Sequence, residues 1–291
     1  MEQTVVLSLR EYKEVLAELK KNFLINGNPL KNINPFDRGL SYGDGVFRTF
    51  LVKNRCPINW DMHYEKLKFD ARILKIKVPT KIDLLLDIKK LFGLNKSYIG
   101  KVIITRGVSN QGYQYKKNIE STRIVLKINY KKINHSLYLN GVKLQVCKTR
   151  VSHNEIYAGA KHLNRIDNVL AKAELKNAVF DGMMLDKNGY VNECVSSNIF
   201  ARYGKFVISP KQKSGGVSGV CQQIIIKNAS SLGFRFKYQD IKLEKLKQAD
   251  EVIITNSVFG AFYVNQIENK KWKEGIFTSQ IRDLIIKPEL K

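Results

Sequence analysis

The chain has 291 residues, 44% of them hydrophobic, and 50 basic against 26 acidic residues give a formal net charge of +24. That apolar content with mixed charge argues for a folded protein of two domains or one large one, and against disorder. No apolar run approaches the ~18 residues of a membrane span, the 4 cysteines contain no C-x-x-C pair and the 4 histidines no pair at ligand spacing, which disfavours a membrane protein, a disulfide scaffold and a metal site.

The opening MEQTVVLSLREYKEVLAELKKN has an acidic second residue and no basic n-region, so it is a poor signal peptide. It reads as a short strand or coil followed by a helix, with Ser8 and Glu11 as an S-x-x-E capping box. NFLINGNPLKN predicts a strand, an Asn-Gly turn and a return strand. The turn-rich INPFDRGLSYGDG then leads into VFRTFLV, which alternates like a strand. Residues 61–76 predict a helix with Tyr64, Leu67, Ala71 and Leu74 on one face, and residues 82–93 predict another. YIGKVIITRG and STRIVLKINY read as strands around a polar loop, and KKINHSLYLNG reads as a loop joining two domains.

VKLQVCKTR predicts a strand and residues 163–178 a helix. In that helix Ile166, Val169, Leu170, Ala173 and Leu175 form one apolar face, and Gly182 is a candidate stop signal. MMLDKNGYVNE reads as a hairpin turning at Asn188-Gly189, and NIFARYGKFVISP as a second turning at Tyr203-Gly204. A glycine-rich loop, SGGVSGV, feeds a helix that stops at Gly233. FRFKYQDI, DEVIITN and AFYVNQI are later strands, with helices at 242–249 and 278–286. The expected class is α+β, two domains of mixed or antiparallel sheet with packed helices. The boundaries are an N-terminal helical extension at 1–22, a small α+β domain at 23–133, a linker at 134–141 and a larger cofactor-binding domain at 142–291.

Three features carry chemistry. Lys161 stands after a small-residue turn, Ala158-Gly159-Ala160, at the front of a helix. Glu193 ends the hairpin strand YVNE. The loop SGGVSGV opens a helix whose free N–H groups and partial positive charge suit a phosphate. No G-K-[ST] follows and no G-x-G-x-x-G stands after a strand, so one phosphate monoester fits better than a triphosphate or a dinucleotide. A lysine for covalent attachment, a carboxylate for a ring nitrogen and a phosphate cradle are what pyridoxal 5'-phosphate needs.

DRGLSYGDGVFRT, TRGVSNQGYQY, AGAKHLNRIDNVLAKAEL, DKNGYVNECVSSNIF and SGVCQQIII, in this order, resemble the fold-type IV pyridoxal-phosphate enzymes. That family holds branched-chain and D-amino-acid aminotransferases and 4-amino-4-deoxychorismate lyases. The resemblance runs from about Phe23 to the C-terminus, and its K-H-L-N-R and R-G-x-x-x-x-G-Y motifs are most similar to the lyases. It implies that Lys161 is the Schiff-base lysine and proton shuttle and that Glu193 partners the pyridine nitrogen. It also implies that Val220 and Cys221 give backbone N–H groups to the phosphate and that Ser257, in ITNSV, gives it a hydroxyl. The family pattern H-x-x-R-L is HYEKL here, which puts Lys66 where a phosphate-binding arginine usually stands. Lysine supplies the charge without the bidentate fork.

The implied reaction converts 4-amino-4-deoxychorismate to 4-aminobenzoate and pyruvate, a folate-pathway step, with Lys161 as acid and base. A lysine acting as a base near neutral pH needs desolvation or a nearby positive charge. Arg106 and Arg48 are candidates for the carboxylates of the dicarboxylate substrate, and Thr49, on its predicted strand, is a candidate assistant in proton transfer. Two departures from the family fall in this region: Arg48 stands where an acidic or small residue is usual, and Gln111 where the loop often has arginine. An aminotransferase acting on branched-chain or D-amino acids is the alternative. The resemblance further implies a homodimer with a loop contributed by the partner, and a cytoplasmic enzyme is the expectation. A basic nucleic-acid-binding protein is the distant alternative. The excess charge is mostly lysine spread along the chain, with no RNP1 motif, zinc-finger spacing or basic tail, so a field attracting small anions is the better reading and neither a nucleic-acid nor a membrane partner is expected.

Overall fold

The computed structural model describes residues 22–213 and 215–285, so the predicted N-terminal helix and its Ser8/Glu11 capping box lie outside the described residues. The chain divides into two compact units, Met1–Tyr130 and Lys131–Lys291.

The first unit runs β1 (Phe23–Ile25), α1 (Arg38–Tyr42), β2 (Gly45–Lys53), β3 (Cys56–Pro57), α2 (Trp60–Ile73), α3 (Lys81–Leu91), β4 (Ser97–Thr105) and β5 (Thr122–Asn129). The strands form one antiparallel sheet in the order β1-β5-β4-β2-β3. Alternation along β2 sends Val46, Phe50 and Val52 to one face, where they pack with Val102 and Ile104 of β4, Leu67 and Ala71 of α2, and Leu84 and Ile88 of α3. Phe47 and Thr49 point to the other face. The return strand expected after Asn26-Gly27 shrinks to one bridge, Ile25 to Asn28, because β1 takes β5 as its partner. The helix α1 was not predicted. Five residues are too few for periodicity, yet its ends carry signals: Asp37 accepts from the Gly39 N–H at 2.8 Å, and Gly43 closes the C-terminus in a left-handed conformation.

The second unit runs α4 (Ser136–Asn140), β6 (Val142–Val146), α5 (Ile166–Ala173), β7 (Asp181–Leu185), β8 (Val191–Cys194), β9 (Asn198–Tyr203), β10 (Phe206–Ser209), α6 (Val220–Asn228), β11 (Arg235–Tyr238), α7 (Leu243–Leu246), β12 (Glu251–Asn256), β13 (Gly260–Ile267), β14 (Lys270–Lys271) and α8 (Ile276–Ile285). Its mixed sheet has the order β11-β10-β9-β12-β13-β6-β7-β8, with β14 paired to β13. The core joins Leu144, Met183, Ile199, Ile254, Phe262 and Val264. Residues expected to form only a loop carry α4, whose Tyr138 is buried, donates its hydroxyl to Phe259 O at 2.8 Å and meets the Phe262 ring at 4.5 Å. The expected α+β class, with antiparallel and mixed sheets, holds in both units.

Two expectations near Lys161 need correction. The helix predicted at 163–178 ends at Ala173, and Gly182 is no stop signal but lies inside β7, where a side chain would overlap the Cys147 sulfur. The apolar stripe of α5 is also not in the core. Ile166, Val169 and Leu170 are 64%, 61% and 53% exposed, and Ala171 is the helix residue that is buried. No helix among the described residues is long and apolar enough to cross a membrane.

Candidate active site

Lys161 is half-buried at the end of the turn Tyr157–Ala160, in which Gly159 takes φ +77° and the Ala160 N–H donates to Tyr157 O at 3.1 Å. That turn pairs with the glycine loop. The Gly159 N–H donates to Gly216 O at 3.1 Å, and the Ser218 N–H donates to Gly159 O at 2.9 Å. Glu193, on β8, accepts the Val217 N–H at 2.7 Å. From the other side the amides of Asn198 and Gln212 each donate to Val217 O at 2.6 Å. The peptide groups of Val217 therefore join the lysine turn, the buried carboxylate and the loop that opens α6. The three sequence features that pointed to chemistry form one constellation.

Glu193 is 4% exposed, and burial pushes its carboxyl above the usual range. Arg165, the Val217 N–H, Lys161 and Asn168 act against that rise. Next to Lys161, burial and then the charge of Arg165 push His162 down to about 4. Its Nδ1 has no partner among the described residues, and its ring meets Tyr157 edge-on at 4.7 Å. The folded chain thus refuses a proton on His162 that the unfolded chain takes up near 6.5. Stability is expected to fall as pH drops from 6.5 to about 4, and His162→Phe should lose less melting temperature across that window than the wild type. Parallel curves would contradict this assignment.

At the start of α6 the N-cap is Gly219, which offers no side-chain cap, so the N–H groups of Val220 and Cys221 lack intrahelical acceptors. A methyl at Gly219 would overlap Asn198 Oδ1, so only glycine leaves this end open. Ser257 stands beside it, its Oγ 3.6 Å from Cys221 Sγ. Burial raises the Cys221 thiol to about 12, which keeps it neutral. Thr255 Oγ1 is buried with no partner among the described residues. The open helix terminus, the glycine cradle, the buried carboxylate and Lys161 fit pyridoxal phosphate. Gly216 holds the loop with φ +81°, and a side chain there would overlap Asn192 Oδ1. Gly216→Ala is expected to cost about 1–3 kcal/mol of stability and to weaken cofactor binding, read by urea unfolding and by titration with pyridoxal phosphate.

In the first unit two expected substrate ligands turn out to be committed elsewhere. Arg106 is buried and places Nε and Nη2 on Asp44 at 2.7 and 3.0 Å, with Nη1 and Nη2 also on the carbonyls of Lys75 and Leu74 at 3.0 and 2.6 Å. Arg48 lies on the helix-facing side of β2 and pairs with Asp70 of α2, which also holds Lys66 Nζ at 2.6 Å. Both arginines therefore pair with internal carboxylates. Lys66 sits in the same buried cluster. Thr49 points to the opposite, half-buried face, directly across from Lys101 in the β2–β4 register. Lys101 Nζ lies 4.7 Å from the Phe47 ring centroid, and burial lowers its proton affinity.

Sequence reading gave no role to Arg165, Asn168, Thr255 or Lys101. Arg165 and Asn168 stood inside the quoted lysine motif, and Lys101 was legible as the one charge in the apolar run YIGKVIIT. Arg38 was missed as well. It pairs with Asp44 at 2.9 Å and donates to the carbonyls of Gly112, Tyr113 and Gln114, which anchors the loop after Arg106. Cys56, Cys147, Cys194 and Cys221 are free thiols, and among the described residues no group of three or more His, Cys, Asp or Glu side chains is arranged to hold a metal.

Known proteins similar to this chain include lyases of one family. An aminodeoxychorismate lyase of Vibrio harveyi is 32% identical over 255 residues, covering 85% of this chain and 93% of the relative. One of Bacillus subtilis is 30% identical over 267 residues, covering 89% and 90%. The crystal structure of 4-amino-4-deoxychorismate lyase from Pseudomonas aeruginosa superposes with a TM-score of 0.85 at 30% identity, covering 90% of this chain and 97% of that one. The fold is that of the fold-type IV enzymes. The family model for amino-transferase class IV matches residues 45–267, most of the chain and both units, so the chain belongs to the class IV aminotransferase family.

Proposed function

We propose that this protein is a pyridoxal-phosphate-dependent lyase that converts 4-amino-4-deoxychorismate to 4-aminobenzoate and pyruvate. The observation that carries the reading is the joining of Lys161, Glu193 and the open end of α6 through Val217, in a chain about as similar to two aminodeoxychorismate lyases as those relatives' identities of 32% and 30% indicate. When bound, the cofactor supplies an electron sink. Lys161 would hold it covalently, take the proton from the substrate carbon that bears nitrogen, and return a proton to the methylene carbon of the departing pyruvate. Glu193 would keep the ring nitrogen protonated. The N–H groups of Val220 and Cys221, with Ser257, would hold the phosphate, and Lys66 would add charge to it.

Thr49 remains the proposed assistant in proton transfer. Arg48 and Arg106 pair with Asp70 and Asp44; on the Thr49 face the half-buried cation is Lys101, with Lys53 exposed at the strand end, and we assign Lys101 to a substrate carboxylate. Lys101→Met is expected to raise KM by about 10- to 100-fold with a smaller change in kcat, as measured by steady-state kinetics. An unchanged KM would remove Lys101 from the site.

The exposed stripe Ile166, Val169 and Leu170 supports a homodimer, since a contiguous apolar helix face in water marks an interaction surface. A cytoplasmic location is part of the same reading. The deciding assay gives purified protein 4-amino-4-deoxychorismate alone, and separately D-alanine or leucine with 2-oxoglutarate. Pyruvate and 4-aminobenzoate formed without an amino acceptor support the lyase. Keto acid and glutamate from the second mixture, with nothing from the first, would make it an aminotransferase with the same Lys161 and Glu193.

A further inference from the structure

We propose that Arg165 is a positioning residue that ties the cofactor-bearing lysine to its carboxylate: its guanidinium clamps the backbone on both sides of Lys161 and presents its charge to Glu193. The proposal rests on the reading that Lys161 carries the cofactor, and it holds for lyase and aminotransferase chemistry alike.

The clamp is geometric. Arg165 Nε donates to His162 O at 3.0 Å and Nη2 donates to Ala160 O at 2.6 Å, so one planar fork holds the carbonyls immediately after and before Lys161. The charges of this side chain and of Lys161 both favour the ionised form of Glu193. Two cations and one buried carboxylate therefore share the site. The charged and titratable groups around them are His162, Asp167 and Tyr157, with the Asn168 amide on Glu193 from the first turn of α5.

Local structure gives no reason for arginine here. Arg165 is the N-cap of α5 and makes no side-chain cap. Ser, Thr, Asp and Asn serve that position, and a cation at a helix N-terminus opposes the macrodipole. A residue that breaks two local rules is held by something else, and the contacts above supply it. The guanidinium offsets the burial of Glu193, and a fixed positive charge held on the Ala160 and His162 carbonyls is expected to disfavour a proton on the nitrogen of the Lys161 side chain between them, as a lysine base requires.

The experiment compares wild type, Arg165→Gln and Arg165→Lys, each reconstituted with pyridoxal phosphate. It reads the pH midpoint of the bound cofactor's visible absorbance and the dissociation constant for pyridoxal phosphate. Arg165→Gln is expected to raise the midpoint by about one pH unit or more and to weaken binding by about 10-fold. Arg165→Lys restores the charge without the fork, so its midpoint returns toward wild type while binding stays weak. A midpoint in Arg165→Gln equal to wild type overturns the proposal, as does an Arg165→Lys that matches Arg165→Gln in midpoint. If Arg165→Gln does not fold, Arg165→Lys decides alone: weakened binding with a wild-type midpoint supports the clamp, and wild-type values for both overturn it. Failure of the underlying reading looks different, because wild type itself would then carry no pyridoxyl group on Lys161.

Discussion

Lys161→Ala is expected to fold, to show no covalent cofactor band in the visible spectrum, and to turn over its substrate at least about 10⁴-fold more slowly than wild type. The size of the effect follows from the two jobs given to one amine. In the proposed function it anchors the cofactor and moves the proton that starts and ends the reaction. It is half-buried, and its turn is held to the glycine loop through Gly159. Fold should survive, because the backbone bonds of the turn do not involve the lysine side chain. Circular dichroism with single-turnover kinetics checks both halves. Retention of more than about one part in a hundred of wild-type turnover would contradict the assignment of acid–base work to Lys161.

Glu193→Gln has the second largest effect and carries two signs. Glutamine keeps the shape and still accepts the Val217 N–H, but it removes the charge that, in the proposed function, would keep the ring nitrogen protonated. The expected loss in kcat is about 10²- to 10³-fold, the range seen when one preorganised electrostatic partner is removed. Stability of the cofactor-free chain should move the other way. Burial raises the folded pKa of Glu193 above its unfolded value, so stability is fully present below the unfolded value and falls as pH rises through that range toward the folded one. Cofactor-free Glu193→Gln should therefore melt higher than wild type at pH 8, with the gap closing toward pH 4. A variant that is less stable at pH 8 and unimpaired in catalysis would contradict a catalytic charge at this position.

The parts of the site that sequence made legible are those where chemistry and local geometry coincide. Asn188-Gly189 fixes the hairpin that delivers Glu193, and the glycines before Val220 announce an open helix end, so both could be read from short stretches. The alternation of VFRTFLV likewise gave β2 its two faces. What could not be read depends on partners distant in sequence. The pairing of Arg48 with Asp70 and of Arg106 with Asp44 could not be read, because spacing along the chain says nothing about which carboxylate folds back. The stripe on α5 shows the same limit. Periodicity revealed an apolar face, but only packing reveals that it stays exposed among the described residues. Arg165 was overlooked because its contacts are to backbone carbonyls, which every residue offers and no motif records.

The central claim is that one amine bears the cofactor, and borohydride reduction of the pyridoxal-phosphate-loaded protein followed by peptide mass mapping tests it most directly. The account predicts a pyridoxyl mass increment confined to the peptide containing Lys161. An increment on another lysine, or none in a folded preparation supplied with the cofactor, would contradict it.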